Sequence, residues 1–127
     1  MKSGVAAGAV AGVVASIVGV VFGFIGTLFL GAVPGSIEET VITSVVLTIV
    51  FGTIFGAMYS KVYDSIPGVG VSKGLRFGLV IWFIKDIVCG AYVGLVYRII
   101  PTAIGLIFVG FFMWIAYGPV LGAVYKR

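Results

Sequence analysis

Lys85 and Asp86 are neighbours, and about two helical turns on either side of them are purely apolar (GLRFGLVIWFIKDIVCGAYVGLVY, residues 74–97). An ammonium beside a carboxylate can relay a proton, hold an ion, or pair with complementary charges in an assembly. The stretch is long enough to cross a bilayer as a helix, which takes about 20 residues at roughly 1.5 Å each. Counted from either end, the pair falls near the midplane. A charge there costs roughly 2.5–3.5 kcal/mol on insertion scales, so such residues face protein or a water-filled cavity.

Asp86 shares a helix face with Gly90 and Gly94, at i+4 and i+8. That spacing puts the carboxylate on the close-packing side of its helix. Lys85 lies about 100° around, on a face with Gly78, Trp82, Cys89 and Tyr92. Adjacent residues of an α-helix do not face each other. Each charge is therefore expected to find its partner on another helix, another protomer or another protein. At matching depth the chain offers the hydroxyls of Ser16, Thr48, Thr53 and Tyr117. These can hydrogen-bond to Asp86 but cannot neutralise it. Three uses of the pair compete: a proton or ion pathway, assembly glue, and a lysine that snorkels to the surface. A stem of a few ångströms makes escape from the centre hard.

Other residues with chemical potential have plainer readings. Cys89 reads as a small buried apolar residue. Glu38 and Glu39 open the second apolar segment, where the helix dipole favours acids, and Ser36 with Glu39 has capping-box spacing. Tyr59, Tyr63, Tyr97 and Tyr125 fall at segment ends, the place of interfacial anchors. Phe108, Phe111, Phe112 and Trp114 read as bulk facing lipid or a partner.

Composition states what must position these groups. Of 127 residues, 61% are hydrophobic and 9% charged, with mean hydropathy +1.30. A soluble domain carries roughly 25% charged residues, so the class is integral membrane protein. The net charge of +4 comes without any basic run, which excludes a nucleic-acid surface. One cysteine excludes an intrachain disulfide and a thiolate cluster, and the absence of histidine removes the usual metal ligand and general base. No metal, cofactor or enzymatic activity is expected. The apolar start is about twice as long as a signal-peptide core and reads as a retained span.

Four apolar segments follow one another: about Gly4 to Val33, Glu39 to Tyr63, Gly74 to Tyr97, and Pro101 to Tyr125. Turns at Pro34-Gly35 and Asp64 to Gly70 separate them, and Pro101 suits a helix start. If the spans alternate, Lys2, Lys61, Lys73, Arg76, Lys126 and Arg127 share one side, and Arg98 faces them with Glu38 and Glu39. The positive-inside rule then places both termini in the cytoplasm.

Small residues recur every fourth position: Gly4, Gly8, Gly12 and Ser16, then Gly19 and Gly23; Thr40 through Ser60; Gly74/Gly78 and Gly90/Gly94; Gly110, Gly118 and Gly122. Such rows let helix backbones approach closely, with Gly52, Gly56, Gly90, Gly94, Gly118 and Gly122 the expected packing positions. The first helix has a seam to spare. Aligning Gly52 with Gly118 brings Gly56 onto Gly122, Ala57 onto Ala123 and Tyr59 onto Tyr125. Lys2-Ser3-Gly4 and Ser72-Lys73-Gly74 similarly open the two halves. The expected fold is all-α: a polytopic membrane protein of four transmembrane helices, arranged as two parallel-repeat hairpins in a single bundle over residues 1–127.

Two functions fit. The first is a structural or accessory subunit in the lipid bilayer, a homo-oligomer or part of a larger membrane complex, held by Gly-rich packing and the Lys85–Asp86 pair. It is placed first because seams in every helix predict tight packing with little room for a pore. The alternative is an oligomeric channel or transporter using Asp86 and Lys85 as an ion or proton relay.

Overall fold

The computed structural model describes residues 2–30 and 37–127, and among them it is entirely helical, without strands. Helix α1 spans Gly4–Leu30 and α2 spans Ile37–Val62, closed by a 3₁₀ turn at Tyr63–Ser65. Then come α3 (Gly70–Trp82), a π-helical turn (Phe83–Ile87) and α4 (Val88–Val96), which together make one rod, and α5 (Ile100–Val124). The four rods are each long and apolar enough to cross a membrane. The expected span end at Val33, the Pro34-Gly35 turn and the Ser36 cap lie outside the described residues. Glu38 and Glu39 do occupy the first turn of α2. The third rod begins a turn before the expected Gly74, because Gly68 (φ +106°) and Gly70 (φ +48°) make the left-handed entry turn, a conformation glycine adopts at little cost.

Glycine lets two of the helix pairs meet backbone to backbone. A Cβ on Gly4 would strike the Gly56 carbonyl oxygen, and one on Gly8 the Gly52 carbonyl, so α1 and α2 meet backbone to backbone. Likewise a Cβ on Gly74 would strike the Gly118 carbonyl, and one on Gly122 the Gly70 carbonyl, locking α3 to α5. Contacts between α1 and α5 join the two pairs. The fully buried Ala7, Ala11 and Ala15 share a core cluster with Tyr117 and Leu121. The rods therefore run in the order α2, α1, α5, α3–α4, and α2 makes no extended contact with α4.

The core sits at one end. Its other members are Tyr59, Phe77, Ile81, Trp114 and Tyr125, all in the half of the bundle nearest the termini. There the outer rods also meet, the Tyr59 ring of α2 lying 5.1 Å from Phe77 of α3; Tyr125, at the end of α5, lies 5.6 Å from the same ring. Lys73 Nζ donates a 2.7 Å hydrogen bond to the Tyr63 carbonyl, a cation at a helix C-terminus, and lies 3.9 Å from the Tyr63 ring centroid. Two expectations are corrected here. Tyr59 and Tyr125 are core residues, not interfacial anchors, though Tyr97 is exposed. Trp114 is 1% exposed, not outward-facing bulk. Lys73 is buried as a tie between the two helix pairs.

Candidate functional site

The π-helical turn carries Lys85 and Asp86. Positions 74, 78, 82, 86, 90 and 94 form an unbroken i+4 row, and in an α-helix such a row drifts about 40° per step. The wider i→i+5 turn takes up part of that drift. Asp86 consequently lies against Gly110 of α5, where a Cβ would collide with the carboxylate. Below it, Trp82 Nε1 donates to the Ile107 carbonyl at 3.0 Å. Gly90 and Gly94 also face α5, beside Ile107 and Ala103.

Lys85 Nζ donates to Asp86 Oδ1 at 3.2 Å. This corrects the expectation that each charge pairs elsewhere: the wide turn sweeps less angle per residue and lets adjacent side chains converge. The lysine leans toward α2, with Nζ 5.5 Å from the Trp114 ring centroid and 5.8 Å from that of Phe51, within cation–π range. Asp86 is 6% exposed. Although the Trp114 indole lies beside the carboxylate, its Nε1 and the Asp86 Oδ2, packed against Gly110, are both fully buried and make no hydrogen bond of good geometry among the described residues. A buried polar atom left so costs about 1–3 kcal/mol.

Both charges border a cavity of about 520 Å³ between α1, α2, the π turn and α5. Pockets of roughly 300–1,000 Å³ hold small organic ligands. Ser16, Thr48, Phe51, Met113 and Trp114 surround its inner end, while Gly26, Thr27, Pro101 and Thr102 line its far end. From Trp114 to Pro101 along α5 is roughly 20 Å. Tight packing is expected along every seam, and this space beside the pair is where the helices stand apart.

The candidate hydroxyls divide. Ser16 and Thr48 line the cavity with the pair, but each donates its proton to its own helix, Ser16 to Val13 O and Thr48 to Ser44 O, both at 2.7 Å. Their lone pairs remain for a ligand. Thr53 donates to Ile49 O at 2.8 Å, and Tyr117 donates to Gly52 O at 2.6 Å. Neither lines the cavity, so both are corrected from partners of Asp86 to structural groups. Cys89 is exposed, contrary to the buried reading.

Sequence reasoning missed Gly110, Trp114 and Phe51 as parts of this site. The i, i+4 relation of Gly110 to Trp114, followed by Gly118 and Gly122, was the available signal for the two on α5. The π turn has no such signature. No family model, curated protein or solved structure matches the chain.

Proposed function

We propose that this chain is a multi-pass membrane protein that binds a small solute at Lys85–Asp86, reached through a half-channel from the non-cytoplasmic side. The single observation that carries the reading is that the charge pair, with Asp86 packed against Gly110 of α5, borders a cavity.

Apolar side chains such as Leu28 (84% exposed), Phe29 (83%) and Leu95 (79%) cover the outside, a surface suited to lipid. With the cationic ends cytoplasmic, the sealed core faces the cytoplasm and the cavity faces away from it. The bundle is read as two parallel hairpins. Gly4, Gly8 and Gly12 meet Gly56, Gly52 and Thr48, and Gly70, Gly74 and Gly78 meet Gly122, Gly118 and Trp114, each residue 66 positions on. Gly4 thus corresponds to Gly70, one turn before the Gly74 that the tripeptide resemblance chose. At the same step the first half carries Gly19 and Val20 where the second carries Lys85 and Asp86. A hairpin of this kind packs without the charges, which favours a role for them beyond packing.

The accessory-subunit reading keeps one observation in its favour: Gly23 and Gly26 of α1 have little or nothing against them and could seat a partner helix. Thiol accessibility separates the two. In a Cys89→Ser background, Gly23→Cys and Thr48→Cys should react in membranes with an impermeant thiol reagent added from the non-cytoplasmic side only. The reaction needs a thiolate in water. Protection of both cysteines would favour an occupied seam, and reaction from the cytoplasmic side would reverse the half-channel. On the purified protein, solute binding should be weakened in Asp86→Asn while the protein stays folded.

A further inference from the structure

Resting on that solute-binding reading, we infer that the cavity selects a small net-neutral solute, whose polar head offers both a hydrogen-bond donor and an acceptor, over any monovalent ion. The inner end of the cavity presents a mixed set of groups. Asp86 lines it with its carboxylate, and Lys85 spends only one of its three N–H donors on Asp86 Oδ1. The Ser16 and Thr48 oxygens add acceptors once their protons are committed to Val13 and Ser44.

The charges at this end sum to zero. A cation drawn to Asp86 meets the Lys85 ammonium 3.2 Å from the same carboxylate, and an anion drawn to Lys85 meets Asp86. Either would bring net charge into an apolar enclosure, the costliest form of burial. A zwitterion or an amide matches both kinds of partner at once: its N–H groups to the Asp86 carboxylate and the Ser16 and Thr48 oxygens, its oxygen to Lys85. Beyond the head the wall is apolar at Leu47, Leu106, Val109 and Met113, so the body of the solute is apolar too. Glu38, Glu39 and Arg98 are not among the residues lining the cavity.

An isosteric series tests this on the full-length purified protein: L-leucine, 4-methylpentanamide, isopentylamine and 4-methylpentanoate, with binding read by titration calorimetry. Leucine and the amide should bind at least about tenfold more tightly than the amine and the carboxylate, a difference of roughly 1.4 kcal/mol. Asp86→Asn should weaken leucine more than the amide, because the variant removes the ammonium's partner but keeps an acceptor oxygen. Lys85→Gln should favour the amine relative to leucine. If the amine or the carboxylate binds as well as leucine, or if no member of the series binds, the selectivity is wrong. Cavity cysteines that still label from outside would then leave the half-channel standing, whereas protected cysteines would remove both readings.

Discussion

The half of the bundle nearest the termini and the half beyond Trp114 are built from the same helices and opposite in kind. Gly4, Gly8 and Gly12 of α1 lie against the α2 backbone, whereas further along the same helix Gly19 is met by the Met113 side chain, Gly26 only by Val109 at 3.7 Å, and Gly23 by nothing within 4 Å. Small residues permit contact without commanding it. Contact follows where the facing helix also offers bare backbone, as Gly52 and Gly56 do. Where it offers Met113 and Val109, the helices stay apart and the glycines become cavity wall. The outer rods repeat the contrast: aromatic rings and Lys73 bridge them at the sealed end, and from mid-length, where the Lys85–Asp86 pair borders the cavity, they stand apart.

The sharpest way to break this comparison is to add volume at the sealed end. Gly74→Val places its branched carbon against the Gly118 carbonyl and the Gly122 backbone, atoms that cannot rotate away. It should cost more than about 3 kcal/mol, at the upper end for overpacking, seen as loss of monodisperse protein or a collapsed denaturation midpoint. Second is the charge pair. Breaking a fully buried pair costs about 3–5 kcal/mol. The Lys85 side chain is 34% exposed, so Lys85→Met should cost less, about 2 kcal/mol. Adding Asp86→Asn should recover most of that loss. A double-mutant cycle checks it, and a coupling below about 0.5 kcal/mol would show that the pair does not act as a unit.

Much of this was legible before any coordinates, and the failures have physical causes. Four long apolar helices follow from segment length, since continuous apolar runs of about 20 residues or more suit helices, whereas barrel strands alternate in segments of about 10. The glycines at 52, 56, 118 and 122 could be named because i+4 spacing fixes a face. Lys85 pairing with Asp86 could not, because the expectation assumed α-helical geometry and the π turn breaks that assumption. Trp114 and Tyr59 were misplaced for another reason. Aromatic residues at span ends or in clusters suit lipid interfaces and cores equally, and only the neighbouring helix decides.

A smaller effect probes the tie between the pairs. Tyr117→Phe removes the 2.6 Å hydrogen bond to the Gly52 carbonyl and leaves the ring in place. The carbonyl still accepts its own helical bond, so the loss should be about 1 kcal/mol, measured as a shift in denaturation midpoint. A loss above about 3 kcal/mol would mean that Tyr117 also organises the helices around it.

The smallest expected effect on stability is also the most discriminating. Gly23 is spaced like Gly8 along α1, yet a Cβ there would meet no atom of the described residues within 4 Å. Gly23→Leu should therefore leave stability within about 0.5 kcal/mol, helped slightly by the better helix propensity of leucine. It should still abolish binding of the leucine probe, because the added side chain occupies the space between Ser16 and Thr27 that the solute needs. Gly74→Val and Gly23→Leu then form a matched pair, one destroying the fold and the other only the site. Should Gly23→Leu unfold the protein as Gly74→Val does, something fills that space in the folded state, and the difference between the two halves lies in what occupies them rather than in how the chain packs.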